Sequence, residues 1–268
     1  KKIKNKHFIL ILSFVVGILT ALAASLLKFL IEYIKHFLTE NFDSTGVNWL
    51  YLVYPVVGIL LTGLFIRNVV RDDISHGVTK ILYAISRRQS RIKRHNTWSS
   101  LFASAITIGF GGSVGPEAPI VLTGAAIGSN VGKLARLNYK DLTLLLCCGA
   151  GAAVSAIFKA PITGVVFVLE ILMLGITSTS IFPLLLACVT ATTTALIYRG
   201  FDPIIAVTLS EADVFVINQI PLYVLLGVCC GLMSYYFTSM NSKVGGFYKS
   251  ISKQWHKWLY AGITLGVL

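Results

Sequence analysis

Uncharged apolar runs alternate with short polar breaks along almost the whole chain. Phe8–Leu27, Val47–Ile66, Leu142–Phe158 and Ile220–Asn241 each contain no charged residue. Runs of about 20 apolar residues are long enough to cross a bilayer core as helices. The pattern predicts full crossings over Phe8–Tyr33, Val47–Ile66, Ser178–Tyr198 and Ile220–Asn241. Between them lie shorter pieces: Trp98–Phe110, Ile120–Val131, Leu142–Phe158 and Pro161–Leu174. A helix of about 13 residues reaches only about 20 Å, less than a bilayer core. Such pieces persist in a membrane only where their ends are buried in protein or line a wet cavity. The breaks fall at Gly111-Gly112, Gly115-Pro116, Gly149–Gly151 and Lys159–Pro161. The expected fold class is all-α: a polytopic membrane protein with broken, tilted helices, an arrangement that points to a transport pathway.

Composition agrees with this pattern. The chain is 55% hydrophobic and 13% charged, with a mean hydropathy of +0.77; soluble domains carry about twice that charged fraction. The net charge of +12 raises the question of nucleic acid, and its distribution answers it. Lys1, Lys2, Lys4 and Lys6 precede the first span, and Arg67, Arg71, Lys80, Arg87, Arg88, Arg91, Lys93 and Arg94 fall in one loop after the second. Lys and Arg gather on the cytoplasmic side of membrane proteins. The N-terminus and the 67–96 loop are therefore expected to be cytoplasmic, with anionic lipid headgroups rather than nucleic acid as the partner of the loop. The expected location is a bacterial inner membrane. The run of small residues from Gly124 to Ser129 and another from Gly149 to Ala153 suit close helix packing. Cys147, Cys148, Cys188, Cys229 and Cys230 all lie in apolar runs. They have neither disulfide nor zinc spacing and read as small packing residues.

A weak internal repeat is present. Val15-Val16-Gly17-Ile18-Leu19 aligns with Leu225-Leu226-Gly227-Val228-Cys229, and Trp49-Leu50-Tyr51 recurs as Trp258-Leu259-Tyr260 at nearly the same offset. Repeats of this kind are frequent in transporter folds. The expected organisation is a first transmembrane repeat over 1–200, an extracellular-side linker over 201–219, and the start of a second repeat over 220–268. The lack of an initiating Met suggests a trimmed N-terminus.

The densest chemistry lies in Gly111-Gly112-Ser113-Val114-Gly115-Pro116-Glu117-Ala118-Pro119. Gly and Pro end the preceding helix, and Pro116 or Pro119 suits the first turn of the next. A helix start presents unpaired N–H groups and a positive dipole end, which attract anions. Glu117 sits on that start. Its carboxylate either serves as an ordinary first-turn acid at a water interface or competes with an anion for the helix end.

Gly115-Pro116-Glu117-Ala118-Pro119 resembles the Gly-Arg-Glu-Gly-Pro motif of the CLC family of chloride channels and chloride/proton exchangers. The flanking Gly-Gly-Ser-Val and Ile-Val-Leu-Thr-Gly-Ala-Ala-Ile-Gly-Ser are similar to that family as well. Phe158–Glu170 resembles a second CLC stretch, Phe-Asn-Ala-Pro-x-Ala-Gly followed by an apolar helix. The resemblance implies the first half of an inverted-repeat fold, with Glu117 as the gating glutamate and Gly115, Glu117 and Ala118 at the anion. The family's Arg is replaced by Pro116, which has no N–H to offer an anion. Its other first-half anion motif, Gly-Ser-Gly-Ile-Pro, is best matched by Ser75-His76-Gly77-Val78-Thr79. This puts Ser75, His76 and Gly77 in the expected site, with His76 either an anion ligand or an ordinary loop residue. Glu170 reads as a buried structural acid. The proton-relay glutamate of the exchangers falls at Ile171, which cannot carry a proton.

The resemblance implies passive or proton-coupled chloride transport, leaning channel-like, with no cofactor and no metal. It also implies a homodimer whose interface includes faces around Ile162–Leu174 and Ile181–Tyr198. Fluoride export is the alternative within the family, but that branch tends to lack the proline found here as Pro119. An intramembrane enzyme would need a Ser/His, Asp/Asp or metal constellation. His7, His36, His76, His95 and His256 lie in or beside polar segments without metal spacing.

Overall fold

A computed structural model describes residues 2–40, 50–70, 77–172, 178–200 and 220–250. Within them the secondary structure is helical: α1 (Lys2–Thr39), α2 (Leu50–Phe65), α3 (Gly77–Arg87), α4 (Ser99–Gly109), α5 (Glu117–Leu134), α6 (Tyr139–Phe158), α7 (Pro161–Ile171), α8 (Ser178–Arg199) and α9 (Ile220–Ser250). A wider π turn, Ile66–Val70, extends α2, and a short 3-10 turn, Arg94–Thr97, precedes α4. Five of these segments are long and apolar enough to cross a membrane: His7–Thr39, Val53–Val70, Tyr139–Phe158, Ser180–Tyr198 and Ile220–Gly246. The chain divides into two compact units, one built from 1–204 with 261–268 and the other from 205–260. The second contains α9, whose large apolar side chains such as Leu222, Leu232 and Tyr235 are exposed.

The core of the first unit forms around α6, which packs against α1, α5, α7 and α8. In its apolar window 83% of the residues are buried, against 33% for α1, so α6 is a central helix and α1 a peripheral one. Small residues explain how it sits so deep. A Cβ at Gly149 of α6 would run into the carbonyl of Gly124 on α5, and a Cβ at Gly124 into that of Gly149. The expected close packing of the two small-residue runs is therefore present, backbone against backbone. Cys147, Cys148 and Cys188 are buried free thiols in this core. Cys229 and Cys230 are exposed on α9, so the packing role expected of them is not met there.

Helix ends follow local chemistry. At the end of α4, Gly111 takes φ +89°. Its N–H donates to Ile108 O at 3.0 Å while that of Gly112 donates to Thr107 O at 2.9 Å. This is a Schellman termination with glycine in its left-handed position. The end of α5 uses the same geometry with Arg136 at φ 52°, while α6 ends on Lys159, also at φ 52°, where the N–H groups of Lys159 and Ala160 both donate to Ser155 O.

Three expectations are corrected. Leu142–Phe158 was expected to fall short of a crossing, yet α6 takes in Tyr139–Asp141 as its first turn and reaches 20 residues. The 67–96 segment was read as loop, but it contains the amphipathic helix α3, which buries Ile81 and Ala84. Glu170 was expected to be buried; it is exposed, because α7 turns Gly164 and Val168 inward and Glu170 lies off that stripe. Lys159, at the end of α6, donates from Nζ to Gly200 O at 2.9 Å.

Candidate functional site

The first turn of α5 is unusual in its donors. Pro116 is the N-cap, with φ −75° and ψ −7°, and Glu117, Ala118 and Pro119 follow as the first three helical residues. A helix normally begins with four N–H groups that lack intrahelical partners. Two of the residues here are prolines and have none. The Ile120 N–H already donates to Pro116 O at 3.2 Å. The N–H groups of Glu117 and Ala118 remain, and neither donates to a backbone carbonyl among the described residues.

Glu117 folds back over its own helix start. A Cβ at Gly115 would collide with the Glu117 carboxylate, with its Cδ 3.0 Å away. Gly115 is thus the residue that leaves room for the acid. No ion pair with this carboxylate occurs among the described residues. Glu117, Gly115 and Ala118 are all exposed.

The second expected motif reaches the same place. Gly77 opens α3, and a Cβ there would lie 2.6 Å from Ala118 O. Two helix starts, far apart in sequence, meet at this point, and glycine at 77 permits the contact. Ser75 and His76 lie outside the described residues.

A cavity of about 290 Å³ opens beside this junction, lined by Gly77, Val114, Ala118 and Pro119 together with hydroxyl side chains from neighbouring helices. Sequence reasoning missed those hydroxyls. Ser100, Ser104 and Thr107 recur on one face of α4, and Thr62 comes from α2. The spacing i, i+4, i+7 was a readable signal. Their protons are already committed: Ser104 donates to Ser100 O at 2.7 Å, Thr107 to Ala103 O at 3.0 Å and Ser100 to Pro119 O at 3.4 Å. Thr62 shares a 2.9 Å hydrogen bond with Thr107. The hydroxyls therefore offer the cavity mainly lone pairs, which leaves the two backbone N–H groups and the positive end of the helix dipole as the donors on this side.

Comparison with known proteins identifies the family. Residues 58–268 match the family model described as voltage gated chloride channel. A chloride channel protein, CLC-e, of Arabidopsis thaliana is 25% identical over 257 residues, covering 89% of this chain and 35% of its own length. A slow cyanobacterial Cl⁻/H⁺ antiporter aligns with a TM-score of 0.79 at 21% identity, over 96% of this chain and 63% of the solved one. A CLC-type fluoride/proton antiporter aligns with a TM-score of 0.81 at 23% identity, over 98% and 64%. The chain thus spans about a third of the curated relative and under two thirds of each solved chain. The family model covers most of the sequence, the all-helical fold follows solved CLC proteins, and the helix-start junction lies within the matched region: this chain is a multi-pass membrane protein of the CLC family of voltage-gated chloride channels.

Proposed function

We propose that the chain supplies one lobe of a chloride pathway, with the α3 and α5 starts as its anion site and Glu117 as its gate. The observation that carries this reading is the contact of Gly77 with Ala118 beside a Glu117 carboxylate that covers its own helix end. An anion entering there exchanges part of its hydration shell for the Glu117 and Ala118 N–H groups and the dipole end. The deprotonated carboxylate occupies the same positive end and excludes the anion. Protonation removes that competition, so flux rises as pH falls.

Ile171 stands where a relay acid would be needed, which favours channel-like conduction over proton-coupled exchange. Pro119 favours chloride over fluoride. Residues 1–200 form the first repeat, 201–219 a linker and 220–268 the start of the second. The N-terminus is cytoplasmic by its lysines. Homodimerisation through α7 and α8 fits the exposure of Ile162, Val166, Phe182 and Ile197.

The test is chloride flux from liposomes holding the full-length protein, with proton movement recorded alongside. Glu117→Gln is expected to conduct at a high, pH-insensitive rate. Wild-type pH dependence in that variant would reject the gate. Stoichiometric proton movement would replace the channel reading with exchange, and faster fluoride than chloride efflux would replace the substrate.

A further inference from the structure

The segment between α3 and α4 is strained and firmly held. Gln89 and Ser90 are consecutive non-glycine residues with positive φ, 49° and 58°, a conformation that persists only where surroundings enforce it. Ser90 is fully buried. Its N–H donates to Ala84 O at 2.8 Å, its hydroxyl shares a 2.6 Å hydrogen bond with Thr143, and its carbonyl accepts from Ser129 Oγ at 2.7 Å. The same Ser129 oxygen accepts from the Ile92 N–H at 3.0 Å, and Lys133 Nζ donates to Ile92 O. Asn130 donates to Thr97 Oγ1 at 2.9 Å. One turn of α5 thereby pins this basic segment along its length.

The result is a cluster of positive charge carried on a held backbone. Arg91 and Arg94 are exposed, and burial, followed by repulsion from these two arginines, holds the Lys133 ammonium below the usual lysine range. Neither arginine forms an ion pair with a carboxylate among the described residues. Leu134, next to Lys133, is 82% exposed. On α3, ahead of this segment, Tyr83 is also exposed, with the Arg88 guanidinium 5.5 Å from its ring centroid. Charge bias alone, as in any basic loop, requires no such fixed geometry. An inorganic phosphate would neutralise the arginines but leave Leu134 in water. A phospholipid satisfies both.

We propose that Arg91, Arg94 and Lys133, with Leu134 beside them, form a specific site for the headgroup of an anionic glycerophospholipid. The arginines take the phosphodiester oxygens, for which their planar forks are suited, and Leu134 meets the glycerol and first acyl carbons.

The test uses the full-length protein in neutral detergent with added dioleoyl phosphatidylglycerol or dioleoyl phosphatidylcholine, reading retained lipid by native mass spectrometry and thermal stability in parallel. Wild type is expected to retain the anionic lipid and to gain stability from it, with no response to phosphatidylcholine. Two arginines at a charged lipid surface contribute about thirtyfold in affinity. Arg91→Gln with Arg94→Gln should lose that factor, while Arg87→Gln with Arg88→Gln, which removes equal charge ahead of the residues held between Ser90 and Thr97, should keep it. Equal losses in the two double variants would overturn the site in favour of diffuse attraction. No preference for phosphatidylglycerol in wild type overturns it without any variant. Equal competition by soluble glycerol phosphate overturns the lipid assignment, because Leu134 would then contribute nothing.

Discussion

Gly77 and Ala118 meet backbone to backbone: a Cβ on the first would stand 2.6 Å from the carbonyl oxygen of the second. That distance is well inside van der Waals contact, and the atom struck is main chain, so it cannot swing aside. Gly77→Val is therefore expected to push the α3 start away from the α5 start. Overpacking of this kind costs roughly 1–3 kcal/mol, which a membrane helix bundle survives. Chloride flux through the folded variant should fall, while size-exclusion profile and helical circular dichroism stay near wild type. Unchanged flux would separate Gly77 from the pathway.

Gly115 acts on the gate from the other side. Its missing side chain leaves the space in which the Glu117 carboxylate lies. Gly115→Ala should displace the carboxylate from the helix end and raise flux at neutral pH, in the same direction as Glu117→Gln. It retains the acid, however, so a residual pH response should persist in Gly115→Ala and be absent from Glu117→Gln. Comparing the two pH–flux curves distinguishes displacement of the gate from its neutralisation.

The helical membrane fold and the α5 start were legible in the sequence, while several details of the fold were not. Gly, Pro and Glu between Gly111 and Pro119 named the helix start because each has a local conformational consequence that needs no partner. Gly77 was found only by resemblance, since a single glycine before a basic segment has no local signature of contact with Ala118. The hydroxyl face of α4 was legible as Ser100, Ser104 and Thr107 at helical spacing. It went unread because apolar neighbours dominate that stretch. Helix α3 was hidden by its charges: Ile81, Ala84 and Ile85 have amphipathic spacing, but the arginines around them drew the reading towards loop. Glu170 failed for a different reason. An acid in an apolar run suggests burial, and only the orientation of α7, with Gly164 and Val168 inward, shows which side it takes.

The α5–α6 contact is expected to be intolerant of volume. At Gly149 even a methyl group would strike the Gly124 carbonyl, and α6 is buried on nearly every side. Gly149→Ala should lower stability by about 1–3 kcal/mol, and Gly149→Leu should prevent a monodisperse protein from forming. The same substitution at Gly227, where a Cβ meets nothing within 4 Å, serves as the matched control. Thermal unfolding in detergent, followed by tryptophan fluorescence and aggregation, measures the difference. Similar behaviour at positions 149 and 227 would mean that close packing does not set the stability of this bundle.

Pro116 offers the most direct way to count the donors at the anion site. The N-cap at 116 has helical backbone angles, φ −75° and ψ −7°, which any L-residue adopts without strain. Pro116→Ala therefore keeps the turn and adds one N–H at the helix end, without adding charge. A hydrogen bond to a charged group contributes about 1.5–3 kcal/mol, so anion affinity should rise roughly tenfold or more. Calorimetric titration of chloride into the full-length protein reads this directly. The experiment is best done in a Glu117→Gln background, where the carboxylate no longer competes. Pro116→Arg, which adds the same N–H together with a charge, should bind at least as tightly as the alanine variant. If Pro116→Ala leaves affinity unchanged while Pro116→Arg raises it, the bound anion senses charge at the site rather than the helix-end donors.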